Sequence, residues 1–313
     1  MSFARTFGLM AAFLFSFSAL AGEPSELCDG TAKCHVLAGT VTGDQPRLAD
    51  LVADIVMILD SPELKWVHTR DRPPATVSLK LAEFLRTCFD KVMKLKNFVV
   101  HQCLAAAPPD EEPKIVEHPI PWPPERESLM REYLQKHTGD GSTYLKNPTT
   151  IVTHWTGTNN LDETIKGFER TRLEGRPELA AAGLVNVSCH FIVDRDGTIY
   201  RMMPDDRTGR HAVGMNRNAL CIENIGGPTH PLTKEQLRSN ELLIESLVAR
   251  HPTIDNVIGH SEYRNFENTY IFSERTGYRS DRDAEPGRAF LAQLRLRLFE
   301  RGERIKAAGR CNL

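Results

Sequence analysis

Two histidines close apolar runs about a hundred residues apart. IVTHW places His154 after Ile151, Val152 and Thr153, and NVIGH places His260 after Val257 and Ile258. Strand ends are rigid and face the loops that shape a cleft, so they are good places to present a metal ligand. A catalytic zinc takes three protein donors, often two histidines and a carboxylate, and keeps its fourth position open. The segment RSDRDAEPGRAF, residues 279–290, offers that carboxylate at Glu285, where the following Pro-Gly sets a tight turn. A general base is also required, and Glu223 in LCIENIGG stands in an otherwise apolar strand. A carboxylate there is costly unless it has a purpose, and burial would raise its pKa toward a useful range. Either histidine, taken alone, is equally readable as a core ring with its hydrogen bonds satisfied.

The elements that must position these groups alternate between strand and helix from about residue 145 onward. IVTHW and LCIENIGG read as strands, TNNLDETIKGFER as a helix and RPELAAAG as a short one. SCHFIVDRDGTIYRMM reads as a hairpin with Asp196-Gly197 as its two-residue turn. In PLTKEQLRSNELLIESLVARHP, Thr233 and Gln236 form a capping box, Leu237, Ile244, Leu247 and Val248 give an apolar face, and Pro252 follows the end. SLMREYLQK, residues 128–136, reads as a further short helix. The expected class is α/β, a mixed central β-sheet flanked by helices, preceded by a small helical N-terminal region.

That N-terminal region, residues 22–104, carries helical apolar spacing at Leu51, Ile55, Ile58 and Leu59 and again at Leu81, Phe84, Leu85, Cys88, Val92 and Leu95. Residues 105–127 are rich in proline and acidic residues and read as a linker or a surface-hugging strap. The main domain is expected over 128–300, with 301–313 as a C-terminal tail. Residues 1–21 read as a secretory signal: Arg5, an apolar run from Leu9 to Phe17, and a small-x-small site at Ala19-Leu20-Ala21. No later stretch is long and apolar enough to span a membrane.

The chain has 313 residues, with Lys and Arg numbering 39 against 41 Asp and Glu, a formal charge of −2. This balance excludes the strong basic excess of a nucleic-acid binder. Seven cysteines, Cys28, Cys34, Cys88, Cys103, Cys189, Cys221 and Cys311, contain no CxxC pair, which argues against a structural zinc site built on thiolates. An exported chain permits disulfides, and Cys28–Cys34 and Cys88–Cys103 are candidate local pairs. Sequence does not give connectivity, and the odd count leaves at least one thiol unpaired.

The fragments IVTHWTG, VSCHFIVDRDGTIYRMMPDD, GRHAVGMN, LCIENIGG, IGHSEYR and EPGRAF run in order over roughly residues 128–300. As a set they resemble the zinc-dependent N-acetylmuramoyl-L-alanine amidases of the type-2 amidase and peptidoglycan-recognition family. No single fragment carries the resemblance. It implies Zn2+ held by His154, His260 and Glu285, with Glu285 where bacterial members have Asp, and Asp283 as the alternative ligand if the turn is slipped. It implies Glu223 as the residue that activates water and His211 as part of the substrate groove. Cys189 stands where some members carry a Tyr beside the metal, and Asp283 where the family has a Lys. Arg282 and His211 are therefore the expected oxyanion donors. Asn186, Asn216, Arg217 and Asn218 are polar loop residues expected to contact substrate, and His190 is expected to be a buried structural ring. The implied activity is hydrolysis of the amide between N-acetylmuramic acid and L-alanine in peptidoglycan or soluble muropeptides. It would be carried out by an exported protein, periplasmic or extracellular. The alternative is a module that binds cell-wall peptides without cutting them.

Overall fold

Alternation along the strands decides which side of the sheet each reactive residue takes. A computed structural model of the chain describes residues 102–107, 109–280 and 285–311, all within one unit spanning Lys96–Leu313. The expected signal segment, the helical region before residue 102, the Cys28–Cys34 pair, and Arg282 and Asp283 lie outside the described residues.

Six strands form one sheet in the order β1-β4-β3-β5-β2-β6: β1 (Ile115–Glu117), β2 (Thr150–Trp155), β3 (Phe191–Val193), β4 (Ile199–Arg201), β5 (Ala219–Asn224) and β6 (Asn256–Gly259). Only β3 and β4 pair antiparallel, and every other neighbouring pair is parallel. The sheet is thus mixed, as expected. Helices α1 (Pro124–Thr138), α2 (Leu161–Glu169), α3 (Pro177–Ala180), α4 (Lys234–Arg250) and α5 (Arg288–Ala307) complete the described elements, with short 3-10 turns at Gln102–Ala106 and His260–Phe266.

Side chains one apart in a strand point to opposite faces. Ile151, Phe191, Val193, Leu220, Ile222 and Val257 all face α4 and α5 and join a core with Leu243, Ile244, Leu247, Leu294 and Leu298. Their neighbours Val152, Ile192, Cys221 and Ile258 face the other way, against α2 and the segments around Met202 and Met215. His154 and Glu223 share the parity of Val152 and Cys221, and His260 follows Ile258. All three therefore emerge on the face opposite α4 and α5, at the same end of the sheet.

Local chemistry explains the element ends. The capping box at α4 forms as the sequence requires: the Thr233 hydroxyl accepts from the Gln236 N–H, and the Gln236 amide oxygen accepts from the Thr233 N–H. The hairpin loop holds three residues rather than two. Asp194 N–H donates to the Thr198 carbonyl, and Gly197 takes a φ of 88° that a side chain would resist. Helix α1 starts a turn earlier than residue 128, because Pro124 at its first position needs no N–H partner.

Residues 105–127 are not a bare linker. Ile115–Glu117 adds a parallel edge strand to β4, and Ile120 is buried with Met202 and Ile192. Residues 301–313 are likewise not a plain tail, since α5 continues to Ala307 and Cys311 is buried. The cysteine pairing also differs from expectation. Cys103 bonds to Cys311 instead of Cys88, and Cys189 bonds to Cys221. Neither bond was accessible from spacing, because their sequence separations are 208 and 32.

The Cys103–Cys311 bond works together with an ionic cluster that is buried at Arg301 and Glu245 and exposed at Asp110. Arg301 on α5 donates twice to Asp110, at 2.8 and 2.9 Å, and lies 3.3 Å from Glu245 on α4. Burial drives the Glu245 carboxyl up to about 7, against the opposing pull of Arg301. Its proton is then held more tightly in the folded chain than in the unfolded one, so stability falls as pH rises between about 4.5 and about 7. Glu245→Gln is expected to flatten that fall, seen as a smaller drop in Tm across the same window by calorimetry. Replacing Cys311 with Ser should cost about 2–5 kcal/mol, measured by urea denaturation of the non-reduced protein.

Candidate metal and catalytic site

His154 and Glu223 are direct neighbours across the β2–β5 ladder. On the other side of β2, Thr153 pairs with Gly259, so His260 emerges just past the end of β6. Glu285 arrives from a distant turn that is pressed onto this strand end. A Cβ at Gly259 would meet the Glu285 carbonyl oxygen at 2.7 Å and Pro286 at 2.9 Å, so only glycine allows the approach. The Ser261 N–H and hydroxyl both donate to that same carbonyl, at 3.3 and 3.2 Å.

The result is a tight, buried donor set. Glu285 Oε2 lies 2.8 Å from His260 Nδ1 and 3.6 Å from His154 Nδ1. Donor atoms of all three residues fall within 4.8 Å of one another. Tetrahedral zinc with bonds near 2.0–2.1 Å places its ligands about 3.4 Å apart. The observed 2.8 and 3.6 Å bracket that value, so His154, His260 and Glu285 fit a zinc ion. Burial pushes the Glu285 carboxyl up, but its hydrogen bonds to the two histidines and their charges outweigh burial and hold it well below the usual carboxylate range. It is therefore the anion a ligand must be.

The ring nitrogens are set by a relay. His211 Nε2 lies 3.3 Å from the Ala219 carbonyl, which can only accept, so this nitrogen carries a proton. Burial, followed by the neighbouring charges of His154 and His190, pushes the His211 pKa well down, and the ring is neutral. Its Nδ1 is then an acceptor, 3.3 Å from His154 Nε2. His154 Nε2 donates to it, and Nδ1 is the ring nitrogen turned toward the Glu285 carboxylate.

His211 lines the cleft, with one ring nitrogen facing the Ala219 carbonyl and the other facing His154. Asn216 is also turned inward. Its amide oxygen accepts from the His211 and Ala212 N–H groups, both at 2.9 Å, and its amide nitrogen donates to the Tyr133 hydroxyl. It builds the loop that carries His211. Asn186 donates to the Gly167 and Arg170 carbonyls, Arg217 to Ser142 and Asp140, and Asn218 to the Ile271 carbonyl. Each holds a loop. His190 accepts the Cys221 N–H on Nδ1 and donates from Nε2 to the Arg207 carbonyl. It is fully buried, and burial lowers its pKa to about 4, in keeping with a structural ring.

Glu223 sits at the rim of the donor set. Its Oε2 is 3.9 Å from His154 Nδ1, and its side chain is 15 % exposed against 6 % for Glu285. It faces a cleft of about 410 Å³ whose far wall includes Phe168, Leu173 and Tyr278. His137 secures that wall by bonding Glu274 at 2.7 Å and the Ala182 carbonyl at 2.8 Å.

Sequence reasoning missed the groups that brace the strand ends. Asn224 donates to the His154 carbonyl and accepts from Asn240 on α4. Glu262 accepts the Gly259 N–H and pairs with Arg295 of α5, which also donates to the Val257 carbonyl. The available signal was a polar residue at an inward position of an otherwise apolar element, at Asn224 and Asn240.

Residues 144–276 match the family model described as N-acetylmuramoyl-L-alanine amidase. Over these residues the chain matches the type-2 amidase family that its sequence resembles. No curated protein matches the chain. Among solved structures, it is similar to the endolysin LysCS, an N-acetylmuramoyl-L-alanine amidase from Clostridium intestinale URNW. The identity is 24 %, covering 51 % of this chain and 88 % of that one, with a TM-score of 0.35. A selenomethionine derivative of AmpD is 22 % identical over 58 % of this chain and 92 % of that one, with a TM-score of 0.39. Peptidoglycan recognition protein-LE, solved with tracheal cytotoxin, is 19 % identical over 50 % and 85 %, with a TM-score of 0.34.

Two outcomes check this geometry by metal analysis of purified protein. Glu285→Ala should abolish stoichiometric zinc binding. His211→Phe should keep the fold but weaken zinc affinity by about 10–100-fold, since it removes only the partner that fixes the His154 tautomer.

Proposed function

We propose that the chain is a zinc-dependent N-acetylmuramoyl-L-alanine amidase, cutting the amide between the muramic-acid lactyl group and L-alanine in peptidoglycan or soluble muropeptides. The observation that carries this reading is the Glu223 carboxylate poised 3.9 Å from His154 Nδ1, facing the cleft beside a complete three-donor set. Zinc held by His154, His260 and Glu285 would supply Lewis acidity toward the scissile carbonyl.

The protein's own residues do the rest. Glu223 takes a proton from the attacking water and later returns it to the leaving amine of L-alanine. The relay from Ala219 through His211 keeps His154 in its ligand form throughout. The cleft walls hold the substrate so that its amide lies over the strand ends. Arg282 remains the proposed oxyanion donor.

The two disulfides support an oxidising compartment, periplasmic or extracellular, in line with the signal expected over residues 1–21. No helix among the described residues is long and apolar enough to cross a membrane.

Glu223→Gln is the decisive variant. It should retain zinc and still bind cell-wall material, while release of stem peptide from purified peptidoglycan falls by at least about 100-fold. Undiminished release would remove Glu223 from this role. A zinc-loaded wild type that binds peptidoglycan without releasing peptide would identify a recognition module instead.

A further inference from the structure

The Cys189–Cys221 disulfide lies on the floor of the same cleft, directly beneath Glu223. Cys221 precedes Glu223 by two positions in β5, so their side chains leave the strand on the same face. The two sulfurs and a Glu223 carboxylate oxygen all lie within 4.8 Å of one another. Cys221 also lies within the same distance of the donor atoms of His154 and His211. Joined as a disulfide, the sulfurs are poor ligands. As thiolates they would be among the strongest donors available to zinc.

We propose that reduction of Cys189–Cys221 creates a second cation site, formed by Cys189, Cys221 and Glu223, which takes a zinc-like divalent ion and silences the protein. The consequence for activity rests on the amidase reading; the site itself does not. In the reducing step a dithiol donates two electrons and two protons. The S–S bond breaks to two thiols while the reductant closes its own disulfide. The incoming cation then displaces the two thiol protons to solvent and draws the Glu223 carboxylate into its shell. Glu223 can no longer accept a proton from water.

The strand itself does not depend on the disulfide. β5 lies between β2 and β3, and the Cys221 N–H is held by His190 at 3.0 Å. Reduction therefore changes the donors without dismantling the sheet. A chain made in a reducing compartment would carry the thiol site, and oxidation on export would release Glu223.

Cobalt(II) titration of the full-length protein tests this, with thiolate-to-cobalt charge transfer in the near ultraviolet as the readout. The oxidised protein should bind cobalt without that band. The reduced protein should bind one further equivalent and show it. The variant Cys189→Ser/Cys221→Ser, and the repacked variant Cys189→Ala/Cys221→Val, should lack this gain under reduction. Identical spectra for reduced wild type and both variants would overturn the proposal. With zinc in place of cobalt, peptide release by the wild type should fall by about 100-fold on reduction and return on reoxidation, while the variants, which keep the Cys103–Cys311 bond, should not show that fall. If the oxidised, zinc-loaded wild type releases no peptide, the amidase reading fails, and the cobalt comparison still decides the thiol site.

Discussion

Two imidazoles and one carboxylate come together at one strand end, and the β5–β2–β6 register brings the two histidines there. His154 faces Glu223 across one ladder, and Thr153 meets Gly259 across the other. A one-residue slip of β2 would carry His154 to the face occupied by α4 and α5 and put Thr153 in its place. The register is protected because the same slip would expose Ile151 and bury the wrong parity against Leu243 and Leu247. Core packing and site geometry are thus one constraint: the apolar residues that hold the strands in place also choose which way the ligands point.

Convergence alone would not make a ligand set, because each group must also be in the right protonation state. The buried carbonyl of Ala219 begins that control, and His211 transmits it to His154. Asn216 fixes the loop bearing His211, and Asn224 fixes the strand end bearing His154. Each of these amides is buried and has its partners, so the cost of burying it is offset by the bonds it makes. Such a network tolerates little change, since loss of one member leaves its neighbour unsatisfied.

Much of this was legible in the sequence, for specific reasons. His154 and His260 were visible because each stands two residues past an apolar pair, Ile151-Val152 and Val257-Ile258, that reads as a strand. Glu285 was visible because Pro286 and Gly287 demand a turn. The α4 capping box and the DG hairpin were visible because they are local. What stayed hidden was lateral. Periodicity says which face a residue takes but not which strand lies beside it, so neither the Cys189–Cys221 bond nor the adjacency of His211 to His154 could be read. A histidine in a groove looks the same in sequence whether its nitrogens meet substrate or protein. The strap before α1 was anticipated, but its edge strand was hidden because Ile115, Val116 and Glu117 are too few to carry a pattern.

The position of Glu285 finally depends on a helix that begins just after it. α5 starts at Arg288, and Arg295 on its first half joins Glu262 and the Val257 carbonyl, tying the helix to the strand that carries His260. Farther along, Arg301 grips Asp110, and Cys311 closes the chain onto Cys103. Glu285 is thereby anchored through the helix that follows it to the segment that enters the domain. A carboxylate with one more methylene than aspartate has one more torsion to immobilise, at an entropic cost. Here that torsion is restrained by two imidazoles at the carboxylate end and by a clamped carbonyl at the backbone end. The longer side chain is compatible with the site because both of its ends are fixed.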